Sequence, residues 1–234
     1  MFDRSAHVYD LLYAFKDYEA EARDLVALIR ERDPAATSLL DVACGTGRHL
    51  DLLRTAFPDL AGVDIQPEML AVARERLPGV LLAEADMRTF DLGRRFDVVT
   101  CLFSSVAYGE TEADLDAAVG RMAAHLAPGG VVVLDGWVRP DAWWPGVSVH
   151  ALAELDDDTA AARVTRSWRE DDRTFLQMRY LIATAAGFEE AEELHVMTLF
   201  TDEQYRSAFE TAGLRPDVVA SPMEGRDRYV AVAP

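Results

Sequence analysis

Residues 39–47 read Leu39-Leu40-Asp41-Val42-Ala43-Cys44-Gly45-Thr46-Gly47, and a helical pattern starts directly after them with Leu50, Leu53 and Phe57 on one face. The spacing predicts a strand, a tight glycine turn and a helix. Such a turn lets backbone approach a ligand closely, and the helix that follows aims unpaired N–H groups at it. Turns of this composition also occur as plain connectors. Asp64 adds weight to the first reading. It closes the next apolar run, Leu60 to Val63, about twenty residues on, where an acid in a doubly wound sheet grips the hydroxyls of a ribose.

A dinucleotide fingerprint would want a third glycine at position 50, and Leu50 stands there. Asp41 and the small triple Ala43-Cys44-Gly45 instead resemble the first motif of the class I S-adenosylmethionine-dependent methyltransferases. The resemblance implies that the turn holds the amino acid end of that cofactor.

Further elements follow in alternation. Pro67 opens a helix with Met69, Leu70, Ala73 and Leu77 inward, closed by Pro78-Gly79. Val80 to Ala83 reads as a third strand, and Asp86 and Met87 just beyond it suit an adenine amino group and ring face, a plain loop acid being the alternative. Phe96 to Phe103 is the fourth strand, delivering Ser104, Ser105 and Tyr108 to the end where open α/β sheets hold ligands. Thr111 and Asp114 cap a helix with the stripe Leu115, Val119, Met122 and Leu126, which Pro128-Gly129-Gly130 ends. Val131 to Leu134 is the fifth strand, with Asp135, Gly136 and Trp137 at its end.

Between Pro140 and Thr198 the stretches His150–Leu155, Ala162–Arg169, Thr174–Ala183 and Ala191–Leu199 alternate without a helical period, which predicts antiparallel strands. Thr201 and Gln204 cap a last helix ended by Gly213, and a hairpin of Leu214–Ala220 and Arg228–Ala233 closes the chain. At the other end, Asp17 to Arg32 reads as an amphipathic helix, and Ser5 to Tyr18 carries Tyr9, Tyr13, Phe15 and Tyr18 as either a packed lid or a flap over a pocket. The expected fold is one α/β domain over residues 1–234. It is a Rossmann-like seven-stranded sheet of order 3-2-1-4-5-7-6, with a flap and helix over 1–36 and an antiparallel auxiliary sheet over 140–198.

With 234 residues, half of them hydrophobic, the chain can bury one substantial core. A formal charge of −18 argues against nucleic acid as a partner, because phosphate contacts need a basic face. The start MFDRSAHVYD has neither a basic n-region nor an apolar core, and no apolar run approaches membrane length. A cytoplasmic protein with no membrane partner is expected. Cys44 and Cys101 read as packing residues, and their spacing suggests no metal. An anionic ligand would need a local cationic cluster, for which Arg163, Arg166, Arg169, Arg173 and Arg179 are available. Strand alternation lets only a subset face one way, and pairing with Glu154 and the acids Asp156 to Asp158 on a solvated face is the competing reading.

The segments VYDLLY, KDYEAEA, SLLDVACGTGRHL, DMRTFDLGRRFD, CLFSSVAY, HLAPGGVVV and LHVMTLFTDEQYRSAFETAGL together resemble the bacterial TDP-amino-sugar N,N-dimethyltransferases of antibiotic sugar biosynthesis. The resemblance runs from about Val8 to the last strand. It implies S-adenosyl-L-methionine as cofactor and a nucleotide-linked amino sugar as the small-molecule substrate. A homodimer is one assembly open to the chain, whose oligomeric state the residues leave open. Carried over residue by residue, it implies that Tyr18, Ala43 and Gly45 meet the methionine part, Asp64 and Ile65 the ribose and one adenine face, and Asp86 and Met87 the adenine, with Leu102 also on the cofactor side. Tyr108 would stand beside the sugar amine with Ser105, and Tyr9, Ser104, Trp137, Arg169 and Arg226 would serve the substrate. Asp64 replaces the family's usual Glu, Ala14-Phe15 shortens a stretch before KDY, Gly136-Trp137-Val138 replaces Pro-Trp-Trp, and the terminal turn lacks extra glycines.

An amine suits these residues. By analogy with α-amino groups roughly a tenth of it is neutral at pH 7. A nearby sulfonium disfavours the protonated form further. Hydrogen-bond acceptors such as Tyr108 or Ser105 would then suffice. A hydroxyl would need a positioned base, for which His150, His195 and Asp135 are the candidates, while His7, His49 and His125 read as packed or solvated. A methyltransferase acting on N or O of another small metabolite is the alternative, and a non-enzymatic protein keeping the cofactor pocket as scaffold is a further one.

Overall fold

The computed structural model describes residues 13, 16–151, 160–221 and 223–234, and the expectation for Tyr9 and most of the flap lies outside them. Eleven strands and five α-helices are described, in two sheets. The main sheet uses β1 (Ser38–Val42), β2 (Asp59–Asp64), β3 (Leu81–Glu84), β4 (Phe96–Cys101), β5 (Leu126–Val138), β10 (Asp217–Ala220) and β11 (Arg226–Val232). Its order is β10-β11-β5-β4-β1-β2-β3, with β11 antiparallel to both neighbours. Counted within this sheet, that is the expected 3-2-1-4-5-7-6.

Adjacent residues of β1 face opposite ways, so each strand feeds two cores. Leu39 joins Val98, Val131 and Val230 beneath α1 (Tyr18–Arg30), α2 (Arg48–Leu53) and α3 (Pro67–Arg76). Leu40 and Val42 join Val99, Val132 and Leu134 beneath α4 (Glu112–Ala124) and α5 (Asp202–Thr211). Local signals start these helices. Asp17 caps α1 by accepting from Ala20 N–H, and Thr111 and Thr201 form capping boxes with Asp114 and Gln204. Among the described residues no helix is long and apolar enough to cross a membrane.

Several boundaries differ from the sequence reading. The first inserted strand, expected at His150–Leu155, is described as Gly146–Ala151, and the hairpin strand expected from Leu214 starts at Asp217. Two more lie on the main sheet. Leu126 leaves the helical stripe and opens β5 opposite Phe96, so Pro128-Gly129-Gly130 falls inside an irregular strand start rather than a loop. β4 stops at Cys101 because Phe103 and Ser104 both adopt left-handed backbone, turning the chain into a 3₁₀ turn, Ser105–Tyr108.

The second sheet is antiparallel, β6 (Gly146–Ala151), β7 (Ala160–Glu170), β8 (Arg173–Thr184) and β9 (Gly187–Thr198) in that order. The chain leaves β5 for it and returns from it to α5, and the Trp137 backbone N–H donates to the Tyr205 hydroxyl at 3.1 Å across that junction. The sheet is tied down over the end of β4: Thr198 Oγ1 donates to the Gly109 carbonyl at 2.7 Å, and Trp137 Nε1 donates to Thr174 Oγ1 at 3.0 Å.

Candidate active site

Between the two sheets lies a cavity of about 690 Å³. The floor is the carboxyl end of the main sheet, with Ala43 and Gly45 after β1, Asp64 and Ile65 at β2, Met87 after β3, Ser105 and Tyr108 after β4, and Trp137 on β5. The roof is the inner face of the second sheet, with Ser148, Arg163, Thr165, Leu176, Met178 and His195. This is the place the strand topology reserves for ligands.

At the floor, the glycine turn is built on alternating left-handed residues, Ala43, Gly45 and Gly47, with φ of 60°, 55° and 73°. A Cβ on Gly45 would meet nothing within 4 Å, so glycine there keeps open the space beside the turn, while one on Gly47 would strike Leu77 of the α3 side at 2.7 Å. Asp64 is 7 % exposed; its Oδ2 accepts from Gly45 N–H at 2.7 Å and its Oδ1 from Gln66 N–H at 2.9 Å. Burial nonetheless raises its pKa, with those N–H groups opposing the shift. Asp41 is fully enclosed, accepts from Thr100 Oγ1 at 2.7 Å, and is pushed up to about 6 by burial. An open glycine turn ending beside a buried carboxylate fits a ligand with an extended amino acid arm and a ribose, which is the shape of S-adenosylmethionine.

Another part of the lining is cationic and aromatic. The Arg226 guanidinium lies 4.4 Å from the Trp137 ring centroid, and its Nη1 donates to Ser104 Oγ at 3.1 Å. Ser104 is itself buried and donates to the Gly136 carbonyl at 2.7 Å. Arg163 is 5 % exposed, yet its Nε and Nη1 have no hydrogen-bond partner among the described residues, and Thr165 Oγ1, two residues on along β7, is in the same state. Buried donors without acceptors cost free energy, on the order of 1–3 kcal/mol each, until something supplies the acceptor.

Of the residues expected to form the site, nine line this cavity: Ala43, Gly45, Asp64, Ile65, Met87, Ser105, Tyr108, Trp137 and Arg226. The others lie elsewhere. Tyr18 lines a neighbouring cavity of about 590 Å³ with Arg48, Asp51 and Arg76, and Lys16 lines both cavities. Leu102 packs in the core beneath the helices α1 to α3, and Ser104 is covered by Arg226. Asp86 turns away to the Arg88 guanidinium, which holds its pKa below the ordinary carboxylate value. Arg169 donates to the carbonyls of Pro140 and Asp171 at the end of its strand, so the arginine that reaches the cavity from this sheet is Arg163. Arg179 pairs with Glu192 and Arg173 with Glu110 on exposed surface.

The candidate bases sort the same way. Asp135 is buried in an ion pair, accepting from Arg228 Nε at 2.7 Å and from Phe103 N–H at 3.1 Å, which makes it a brace for the β4 turn. His125 bridges the Arg121 carbonyl and Leu92 N–H at 2.7 and 3.0 Å, as a packed histidine. His195 lines the cavity with its Nδ1 2.7 Å from the Tyr108 hydroxyl. Lys16 was not anticipated. Its ammonium pairs with Glu21 at 2.9 Å, lies 3.7 Å from the Phe103 ring centroid, and has its pKa lowered chiefly by burial.

Comparison with known proteins agrees with this architecture. The profile of a family described as a methyltransferase domain matches residues 39–130, the half-sheet that carries the glycine turn and Asp64. The chain is 44 % identical to dTDP-3-amino-3,6-dideoxy-alpha-D-glucopyranose N,N-dimethyltransferase of Streptomyces fradiae, over 97 % of this chain and 90 % of that one. The crystal structure of Streptomyces venezuelae DesVI superposes with a TM-score of 0.92 at 43 % identity, over 98 % of both chains. SAM-bound CalS10, an amino pentose methyltransferase of Micromonospora echinaspora involved in calicheamicin biosynthesis, gives 0.87 at 44 % identity, over 97 % of both chains. The protein is an S-adenosylmethionine-dependent N-methyltransferase. It belongs to the family of dTDP-amino-sugar N,N-dimethyltransferases.

Proposed function

We propose that this chain methylates, twice, the amino group of a dTDP-linked amino deoxysugar in natural-product biosynthesis. The observation that carries the substrate is the roof of the cavity. Arg163 brings buried, unsatisfied donors to the cavity, Thr165 follows two residues on along the same strand, and Arg226 stands on Trp137 at the floor. A diphosphate supplies the acceptors these groups lack, and the planar guanidinium fork suits two of its oxygens at once.

S-adenosylmethionine, when bound, supplies an electrophilic methyl group on a sulfonium. In this reading Ala43, Gly45, Asp64, Ile65 and Met87 hold it, with Tyr18, Asp86 and Leu102 acting from behind. Tyr108 and Ser105 meet the sugar amine. The Ser105 hydroxyl donates to the Leu102 carbonyl at 3.0 Å, which leaves its lone pairs facing outward as acceptors. Holding the nitrogen about 3 Å from the methyl carbon is the main work, and such positioning can contribute about 7–11 kcal/mol. The second sheet excludes water from the meeting point.

A cytoplasmic site of action and a homodimer go with this reading. The outward face of the second sheet exposes Val147, Val149, Val164, Leu181 and Leu194, at 44–73 %, and a second copy of the chain would cover it. Sedimentation equilibrium returning the monomer mass would remove that part. The substrate is tested by mass spectrometry with the cofactor and a panel of TDP-3-amino and TDP-4-amino deoxysugars. Two methyl steps on one sugar are expected. Cofactor binding with no step on any of them would overturn the substrate.

A further inference from the structure

Behind Tyr108 runs a line of polar groups that lead away from the cavity. The phenol oxygen is 2.7 Å from His195 Nδ1, and His195 Nε2 is 3.1 Å from Glu193 Oε2, which also accepts from the Tyr180 hydroxyl at 2.9 Å. Tyr108 is 38 % exposed, but His195 and Glu193 are 4 % and 6 %. The line therefore starts in the cavity and ends in the packed sheet.

Its polarity follows from the groups. An ionised Glu193 only accepts, and against it His195 Nε2 carries the ring proton and Nδ1 accepts from the Tyr108 hydroxyl. Among the described residues, the titratable and charged groups that act on this line include Tyr13 ahead of α1, Arg163 on β7, Tyr180 on β8 and, at the floor, Asp64. A phenol is neutral near pH 7 in any case, and the cavity walls around it with the nearby Glu193 and Asp64 carboxylates push its pKa further up. Tyr108 therefore serves as a neutral group that can accept one proton while giving another.

Resting on the double methylation of an amine, we infer that Tyr108, His195 and Glu193 form a relay that removes the proton standing between the first and second methyl transfers. After the first, the nitrogen is a secondary ammonium, R–NH₂⁺–CH₃, with no lone pair. One N–H proton passes to the Tyr108 oxygen as that oxygen's own proton passes to His195 Nδ1, and the N–H electron pair stays on nitrogen. The products are a neutral secondary amine, an intact phenol and an imidazolium facing the Glu193 carboxylate. S-adenosylhomocysteine from the first transfer is then exchanged for a second S-adenosylmethionine. The amine's lone pair takes that methyl as its C–S bond breaks, leaving S-adenosylhomocysteine and a tertiary ammonium, which departs charged. His195 then returns its proton through Tyr108 to water in the emptied cavity. A relay that stores one proton matches the single deprotonation this sequence requires. Tyr108 touches the amine; His195 and Glu193 act through it as positioning residues.

The test is His195→Gln, whose amide can accept the phenol's hydrogen bond but cannot hold the extra proton. At pH 7 the second methylation is expected to slow about 10²-fold, the low end for positioned proton transfer, so that monomethyl product accumulates. The deficit should shrink as pH rises and the secondary amine loses its proton unaided. Calorimetric cofactor affinity like that of the wild type would show that the fold is intact. An unchanged second step, or a deficit equal at every pH, overturns the relay. A ¹⁵N-imidazole spectrum of the wild-type enzyme, with the variant identifying the His195 signals, gives an answer without turnover. A neutral ring protonated on Nε2 is expected, and a proton on Nδ1 overturns the relay. If the wild-type enzyme methylated no amino sugar, the substrate would be wrong, and the ring's tautomer would still decide the relay's polarity.

Discussion

The Gly45 backbone N–H donates to Asp64 Oδ2 at 2.7 Å, joining the turn after β1 to the acid that ends β2 across nineteen residues of sequence. The glycine supplies open space and the acid supplies charge, and this bond holds the two at one fixed separation. A rigid corner of this kind loses little entropy when a ligand arrives.

Asp64→Ala is expected to weaken S-adenosylmethionine binding by about 1.5–3 kcal/mol, the range for hydrogen bonds to a charged group. Calorimetry measures it directly. A wild-type affinity would remove Asp64 from the cofactor's partners.

Gly45→Ala separates backbone strain from steric exclusion. A Cβ there meets nothing within 4 Å, so the folded chain suffers only the left-handed penalty at φ 55°, about 1–2 kcal/mol. The loss of cofactor affinity should be larger than the loss of stability, because the methyl group enters the ligand's space. Equal losses in urea unfolding and in calorimetry would contradict this.

Asp41 gives a pH signature. Its pKa is about 6 when folded against an ordinary 3.8, so the folded state holds the proton more tightly and Asp41's contribution to stability declines as pH rises through that window. Asp41→Asn keeps an oxygen for the Thr100 hydroxyl and carries no charge. The variant should gain on the wild type between about pH 4 and 6 and hold a gain on the order of 3 kcal/mol above that. Urea unfolding at pH 5 and pH 8 checks the trend, which would be refuted by an equal effect at both.

Arg228→Met strands the buried Asp135 carboxylate, for which about 3–5 kcal/mol of destabilisation is expected. Because Asp135 also accepts from Phe103 N–H, the left-handed Phe103–Ser104 turn should loosen with it. Hydrogen exchange at Phe103 and Ser105 would report that change.

Arg163→Met and Arg169→Ala should part company. Among the described residues, Arg163 Nε and Nη1 have no acceptor in the free protein, and the guanidinium gives up only its contact with the Tyr13 ring at 5.0 Å. Its replacement should therefore change stability little while weakening TDP binding by about 1.5–3 kcal/mol. Arg169 is occupied by two carbonyls at the strand end, and its loss should leave TDP affinity unchanged. The opposite ranking by calorimetry would return the diphosphate to Arg169.

What could be read in the sequence was local. The capping boxes at Thr111 and Thr201, the glycine turn and the alternation of apolar strands are each set by residues within a few positions. They bring Ala43, Gly45, Asp64, Met87, Ser105 and Tyr108 to the cavity, whereas Trp137 and Arg226 are expected there only from the family resemblance. The roof could not be read this way. Arg163 and Arg169 share one face of β7, being six residues apart. Which of them reaches the cavity depends on where along the strand the cavity lies and on where β7 runs out of partners, at Glu170 opposite Arg173. Asp135 was ambiguous for the same reason. Its partner Arg228 sits opposite it only once β11 has been paired with β5, more than ninety residues downstream. The early end of β4 is another such case, since nothing in Phe103 or Ser104 announces a left-handed backbone.

The bond from Trp137 N–H to the Tyr205 hydroxyl closes the neck through which the second sheet is fed. Chain enters and leaves at one stitched point, so the sheet can be exchanged without opening the seven strands beneath it. The expected outcome is modularity. Grafting another relative's sheet at this neck should transplant acceptor preference while the donor corner at Gly45 and Asp64 keeps its affinity, and lineages of such enzymes would diversify mainly above the neck.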